Sequence, residues 1–267
     1  MSKFQDNSKN RVNSLAKGLR VLEAFTAKDP ELLLSEVGRR AGLDNATSFR
    51  MLNTLLELGY VDHDSESRRF RLNLKCLNIG FNAIARSDLR ALAQPVLRGF
   101  VADGAEAASL GVLDRGEVTY IERMQAGLNR TAVDIRVGMR INAHSSALGH
   151  ALLAFLPAPQ IQQHLDAVIR TKQTPHTLTG LKEIKARLKQ VRDEGFALVD
   201  QESVLGLRAI AAPVFGADGL PVAAISIASA NVTVPPKAFT RQFAKKLTDA
   251  AADLSLSLRA SGTAIVR

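Results

Sequence analysis

The chain contains a single cysteine, Cys76, which excludes an internal disulfide framework and any four-cysteine metal centre. It also lacks a long apolar run: nothing in its 267 residues approaches a membrane span, which takes about 20. Met1–Arg11 is polar and has no apolar core of the kind a secretion signal carries. Phosphate-binding loop, dinucleotide glycine fingerprint and metalloprotease helix are all missing, which lowers the case for an enzyme without removing it. A Ser-x-x-Lys spacing occurs at Ser14–Lys17, but it lies within an apolar helical stripe and reads as chance. His144 and His150 are six apart, which does not align them on one helix face, and no third ligand type lies near. These absences point to a cytoplasmic protein with no membrane contact, no metal, no cofactor and no catalytic residue.

What is present is ordinary globular composition, 46% hydrophobic and 23% charged, in a chain long enough for two domains. The net charge of +9 favours acidic partners. It is not concentrated at one end: residues 1–75 hold 13 Lys and Arg against 10 Asp and Glu, only +3 of the total. A case for nucleic acid must therefore rest on where charge is placed.

The placement is informative between Ser35 and Leu72. After a polar arm (1–11), a helix from about Ser14 to Ala27 carries Leu15, Leu19, Leu22 and Phe25 on one stripe, the scaffold of a small domain. Ser35 is a possible N-cap for a short helix to Ala41, which Gly42 interrupts. Leu43-Asp44-Asn45 forms a turn, and a second helix runs from Ala46 to Leu58, stopped by Gly59. Two strand-like runs, Gly59–His63 and Arg68–Leu72, flank Asp64-Ser65-Glu66-Ser67 as a hairpin. Helix, turn, helix, hairpin is a winged helix-turn-helix. The second helix opens with Asn45, Thr47, Ser48 and Arg50, and Asn53 follows one turn on, while its leucines gather toward the C-terminal half. Polar side chains read base edges in a major groove, and cations and hydroxyls meet phosphates. Arg68, Arg69 and Arg71 lie in the returning strand, where alternation puts Arg69 and Arg71 on one face for phosphate. An ordinary helical subdomain with a solvated face is the plainer alternative.

Downstream, residues 73–90 read as a linker helix with Leu74, Leu77, Phe81 and Ile84 aligned, a stripe suited equally to packing within the chain or to a dimer contact. Helix continues from Leu89 to Ala102, with Pro95 as a kink or a new start. Ala107–Leu113 and Glu117–Arg123 form a hairpin and Ala132–Val137 a further strand. Ser145–Phe155 and Pro159–Ile169 are helical, and Thr179 is a candidate N-cap for a helix that Gly195 ends. Phe196–Val199, Arg208–Phe215 and Pro221–Ala228 are strands, and a closing helix from Pro236 aligns Phe239, Phe243, Leu247, Ala250, Leu254 and Leu258. Strands, then helices on one face, then strands again predict an α+β sensor domain over residues 91–262. The helix beginning at His144-Ser145-Ser146 presents backbone N–H groups suited to a carboxylate, with a serine hydroxyl beside them. Plain N-capping by one of these serines is the other reading. Asp200, Glu202 and Arg208 form a second polar group, a solvated loop or a ligand contact.

Asn13–Leu22 with the helix-turn-helix, Val137-Gly138-Met139-Arg140, His144–Ala154, Gly206–Val214 and Ala224–Ile227 cover about residues 12 to 260. In order and spacing these motifs resemble the IclR family of bacterial transcriptional regulators. The look is closest to regulators of aromatic-acid (protocatechuate and β-ketoadipate) catabolism. The resemblance implies a DNA-binding domain at 12–72, the linker helix, and a GAF-like effector-binding domain with a curved antiparallel sheet. It implies an apolar, buried residue at Ser48, whereas the residues alone expose Ser48 and send Phe49 to the core. On this reading Asn45, Phe49 and Asn53 are candidates for base contact, and Thr47, Arg50, Arg69 and Arg71 for phosphate. The resemblance also places an effector between the helix start and the sheet. Its backbone-amide positions fall on Ala147 and Leu148, its strand serines on Ser226 and on Ala228, where serine is absent, and its acidic position near Val199 and Asp200. Those departures favour a larger, partly apolar acid over the smallest ones. The expected partners are double-stranded operator DNA, a small organic acid, aromatic or dicarboxylic, and a second copy of the chain, as a homodimer or dimer of dimers. The alternatives are a small-acid-processing enzyme with a winged-helix docking module, or a non-specific architectural DNA-binding protein.

Overall fold

A computed structural model describes residues 11–85, 88–127, 135–230 and 235–261. The chain divides into two units between Ala83 and Ile84, inside the expected linker.

The first unit contains α1 (Asn13–Glu23), β1 (Glu31–Leu33), α2 (Leu34–Ala41), α3 (Asn45–Glu57), β2 (Val61–Asp64) and β3 (Arg69–Leu72), and α4 (Cys76–Ala85) follows. The three strands form one antiparallel sheet in the order β1-β3-β2. β1 was not expected; three residues are too few to show a period. Ser35 lies inside α2 and does not cap it: the carboxylate of Glu36 reaches back and accepts from the Leu33 N–H at 2.8 Å. Gly42 ends α2 in a left-handed conformation, φ +63°, that favours glycine. The hairpin turn is held by Asp64, which accepts from the Glu66 N–H at 3.0 Å and the Ser67 hydroxyl at 2.6 Å. The core gathers Val21, Phe25, Leu32, Val37, Leu52 and Phe70. Leu15 and Leu19 are not part of it: they are 63% and 51% exposed, so only the later half of the expected stripe, Leu22 and Phe25, reaches the core, with Val21 beside it. On α4, Leu77 is also exposed, as is Leu74 just before it; the side chains of Phe81 and Ile84 lie outside the described residues.

The second unit contains α5 (Asp88–Ala102), β4 (Ala107–Asp114), β5 (Glu117–Gln125), β6 (Arg140–Asn142), a 3-10 turn (Ala143–Ser145), α6 (Ala147–Leu153), α7 (Ala158–Asp166), α8 (Leu181–Glu194), β7 (Ala197–Asp200), β8 (Leu207–Phe215), β9 (Pro221–Ala230) and α9 (Pro236–Ala260). Six antiparallel strands form a sheet in the order β6-β5-β4-β9-β8-β7. Helices cover both faces, not one. Ile210, Ala212, Val214, Ile225 and Ile227 pack on α5 and α9, while Ala211, Ala224 and Val199 pack on α6 to α8. Near-continuous apolar runs in β8 and β9 are the cause, since a strand covered on one side alternates. α9 buries Phe239, Phe243, Leu247, Leu254 and Leu258 as its spacing predicts, each worth roughly 1.5–3 kcal/mol of apolar burial. Pro95 sits within α5. α8 begins after Gly180 with no side-chain cap, so Thr179 does not serve as one. The strand expected at Ala132–Val137 falls partly outside the described residues, and 135–137 are not extended into a ladder; β6 begins at Arg140.

Candidate functional sites on helix α3 and on the α6 face of the sheet

Helix α3 is fixed at its start by a residue the sequence reading placed only in a turn. The Asp44 carboxylate accepts from the Thr47 N–H at 2.7 Å and from its hydroxyl at 2.8 Å. Those bonds from Thr47 hold the Asp44 carboxyl below the ordinary carboxylate range. Thr47 is thereby buried and engaged, and is withdrawn as a phosphate contact. Ser48 is withdrawn as well: it is 0% exposed and its hydroxyl donates to the Asp44 carbonyl at 2.9 Å. Room for it comes from Gly38 on α2, where a Cβ would stand 3.0 Å from the Ser48 hydroxyl and from the Leu43 carbonyl. With Ser48 inside, Phe49 is outside, 51% exposed. Asn45, Phe49, Arg50 and Asn53 then share the exposed side of α3, while Met51, Leu52 and Leu55 face the core. At its other end the helix is closed by Lys75, whose ammonium donates to the Leu58 carbonyl at 2.7 Å and stands over the Tyr60 ring.

The hairpin arginines are more entangled than expected. Arg69 and Arg71 do share the face opposite buried Phe70. Arg69 donates to the Glu31 carbonyl at 3.1 Å and lies 3.6 Å from Glu36. Arg71 lies 3.8 Å from Glu31 and 3.6 Å from Asp62. Both acids at Glu31 and Glu36 come from the region of the unforeseen strand β1. Such exposed pairs are worth little and can exchange partners. Arg68 is exposed at the turn, φ +56°.

In the second unit, the residues around α6 converge on one face of the sheet. Ser146 is the N-cap of α6, its hydroxyl accepting from the Gly149 N–H at 3.1 Å. Ser145 instead donates to the Gln173 side chain at 3.1 Å, and both serines are buried. Ala147 and Leu148 are buried at the first turn of α6. Two glycines allow the close packing here. A Cβ on Gly149 would overlap the Ala143 carbonyl, and one on Gly111 in β4 would stand 2.6 Å from Val118 and 3.1 Å from Leu148. His150 is fully buried and donates from Nε2 to the His144 carbonyl at 2.7 Å, and burial pushes its pKa down to about 4. His144 is lowered by burial too, its Nε2 3.4 Å from the Thr171 carbonyl. Both imidazoles are neutral structural groups at pH 7.

Register decides which strand residues face α6. Ser226 lies between Ile225 and Ile227, which pack on α5 and α9, so Ser226 and its i+2 neighbour Ala228 face α6. Asp200 does not join them. It pairs across the ladder with Arg208, itself opposite Ser229, one residue out of step with Ala228. Asp200 is bound to Arg208 at 2.9 Å on that other side of the sheet and is withdrawn as an effector contact. Glu202 is buried against Arg187 at 2.7 Å; burial raises its carboxyl pKa more than the arginine lowers it. Its backbone carbonyl accepts from Thr174 and Thr177, tying the 171–178 segment to the end of β7.

Comparison with known proteins agrees with this layout along most of the chain. The description "IclR helix-turn-helix domain" matches residues 14–65, and "Bacterial transcriptional regulator IclR C-terminal" matches residues 81–256. A Pca regulon regulatory protein of Pseudomonas putida is 31% identical over 243 residues, 91% of this chain and 83% of its own. The p-hydroxybenzoate hydroxylase transcriptional activator of Acinetobacter baylyi is 31% identical over 247 residues, 91% of this chain and 90% of that protein. A crystal structure from Rhodococcus sp. RHA1 superposes with a TM-score of 0.81 at 33% identity, covering 93% of this chain and 98% of that one. No helix among the described residues is long and apolar enough to cross a membrane. The chain belongs to the IclR family of bacterial transcriptional regulators, with an N-terminal helix-turn-helix DNA-binding domain and a C-terminal effector-binding domain.

Proposed function

We propose that this regulator reads operator DNA with Asn45, Phe49, Arg50 and Asn53 on α3 and answers to a small aromatic acid held between α6 and the sheet. The observation that carries the DNA half is the division of α3: Ser48 and Leu52 are buried, and the four candidates stand together in solvent at its amino-terminal half. A helix so divided can enter a major groove while its other side stays on the domain. Arg68 at the hairpin turn meets phosphate, and Arg69 and Arg71 assist after releasing Glu31, Glu36 and Asp62.

The acid half is supported by two relatives whose names concern Pca and p-hydroxybenzoate regulation, and by the small residues Ser226 and Ala228 facing α6. The protein works as a homodimer or dimer of dimers in the cytoplasm, a reading supported by the exposed apolar side chains of Leu15 and Leu19 on α1. The acid favours one subunit arrangement and so changes the spacing of the two α3 helices relative to the half-sites. It binds the acid without converting it. A footprint upstream of the neighbouring genes, followed by gel-shift titration of Arg50→Ala, tests the DNA half. About 1–2 kcal/mol, roughly five- to thirtyfold in affinity, should be lost with the fold intact. An unchanged titration would move the reading face elsewhere.

A further inference from the structure

We infer that Arg123 is the cation that holds the carboxylate of the effector, and so the residue that makes this pocket select acids over their neutral analogues. The inference rests on the α6 face being the effector site. The ladder register brings β5 into the same site. Arg123 pairs with Ser109 of β4, Ser109 with Ser226 of β9, and Ser226 with Ala211 of β8. These four form one row across four strands. Their neighbours fix the side: Ala108, Leu110, Ile225, Ile227, Ile210 and Ala212 all pack toward α5 and α9, so the row faces α6. Glu122, next to Arg123, confirms the alternation by turning the other way to Arg90 at 2.6 Å and Gln94 at 2.8 Å on α5.

The guanidinium is aimed along that row. Its Nη1 donates to the Ser109 hydroxyl at 2.9 Å, which draws it over the sheet toward Ser226. The floor beside it is made of small side chains, Ala209 and Ala228 among them. Although β8 and β9 are inner strands, both alanines are only half-buried, whereas Ala211 and Ala224 are closed off under α6. A flat ring can therefore lie on the open part of the floor. Arginine presents parallel N–H donors that match a carboxylate, which a serine row alone cannot do. The open part lies on the Ala107–Ala228 side of the row; on the other side, two residues on at Gly111 and Ala224, Leu148 closes the space. The floor suits a flat aromatic monocarboxylate, with Ser226 available to a ring substituent. Arg123 has contacts besides Ser109, and an incoming carboxylate competes for it with them.

Calorimetric titration of 4-hydroxybenzoate and of the neutral 4-hydroxybenzamide tests this, using the full chain as wild type, Arg123→Gln, Arg123→Lys and Ser226→Leu. Thermal unfolding of each variant first shows that it is folded. The wild type should prefer the acid by tenfold or more. Arg123→Gln should reduce that preference to within about threefold, chiefly by weakening the acid, as expected for loss of one charge-assisted pair. Arg123→Lys should restore part of it. If Ser226→Leu removes binding of both compounds while Arg123→Gln keeps the wild-type preference, the pocket stands and the assignment of Arg123 falls. If the wild type binds neither compound, or Ser226→Leu changes nothing, the pocket reading falls and Arg123 with it.

Discussion

The two units of this chain bury polarity very differently. Among the described residues, Thr47 and Ser48 are the buried polar side chains of the first unit, and both serve the start of α3. The second unit buries Ser109, Glu122, His144, Ser145, Ser146, His150, Thr174, Thr177, Glu202, Arg208, Ser226, Ser229 and Ser255. A buried polar group is costly unless it is bonded, so each must be met by a partner in a fixed place. The first unit keeps its useful groups at the surface, where a large rigid polyanion can reach them. The second keeps its groups inside, where a small molecule can be enclosed. The two units thus suit two kinds of recognition, separated by where the chain tolerates desolvation.

That contrast can be broken in three places, in decreasing size of effect. Phe239 is fully buried on the α5–α9 side, and Phe239→Ala should cost about 3–5 kcal/mol. Denaturant unfolding measures it, and a loss below 1 kcal/mol would mean that this layer is loosely packed. His150 gives the next effect. An unfolded histidine takes up its proton near pH 6.5 and the folded one only near pH 4, so stability present above pH 6.5 is lost as pH falls through that window. The total is about 3 kcal/mol. Glu202, raised by burial, works with the opposite sign at low pH, so the difference between wild type and His150→Gln isolates the histidine. A difference that stays constant from pH 7 to pH 4 would contradict the burial. The smallest effect belongs to the surface of the first unit. Arg71→Ala should weaken operator binding by less than about threefold at 0.15 M salt, since its charge is already offset by Glu31 and Asp62. A loss equal to that of Arg50→Ala would show that the hairpin sheds those acids completely on DNA.

Much of this is legible in the amino-acid sequence. The period of α9 picked out Phe239, Phe243, Leu247, Leu254 and Leu258, because one long apolar stripe has one place to go. Gly42, Gly59 and Gly195 marked helix ends through their positive φ. The stripe of α1 was half right: Leu22 and Phe25 reach the core, but periodicity does not show how far along a helix the covering partner extends, and Leu15 and Leu19 lie beyond it. Helices on both faces were hidden because the strands were read one at a time. Asp200 and Ser48 were misplaced for a related reason. Which side of a sheet a residue faces depends on cross-strand register, and which side of a short helix is buried depends on a partner such as Gly38, and neither is local in sequence.

The central claim is that occupancy inside the second unit and DNA contact by the first are linked through the whole protein. Linkage requires reciprocity: the factor by which an acid changes operator affinity must equal the factor by which operator changes acid affinity. The direct measurement is calorimetric titration of 4-hydroxybenzoate into the regulator alone and into its complex with saturating operator, beside operator gel shifts with and without the acid. The account predicts two equal factors, in the range of about five- to 150-fold. An acid affinity identical with and without operator, and an operator affinity unchanged by the bound acid, would contradict it.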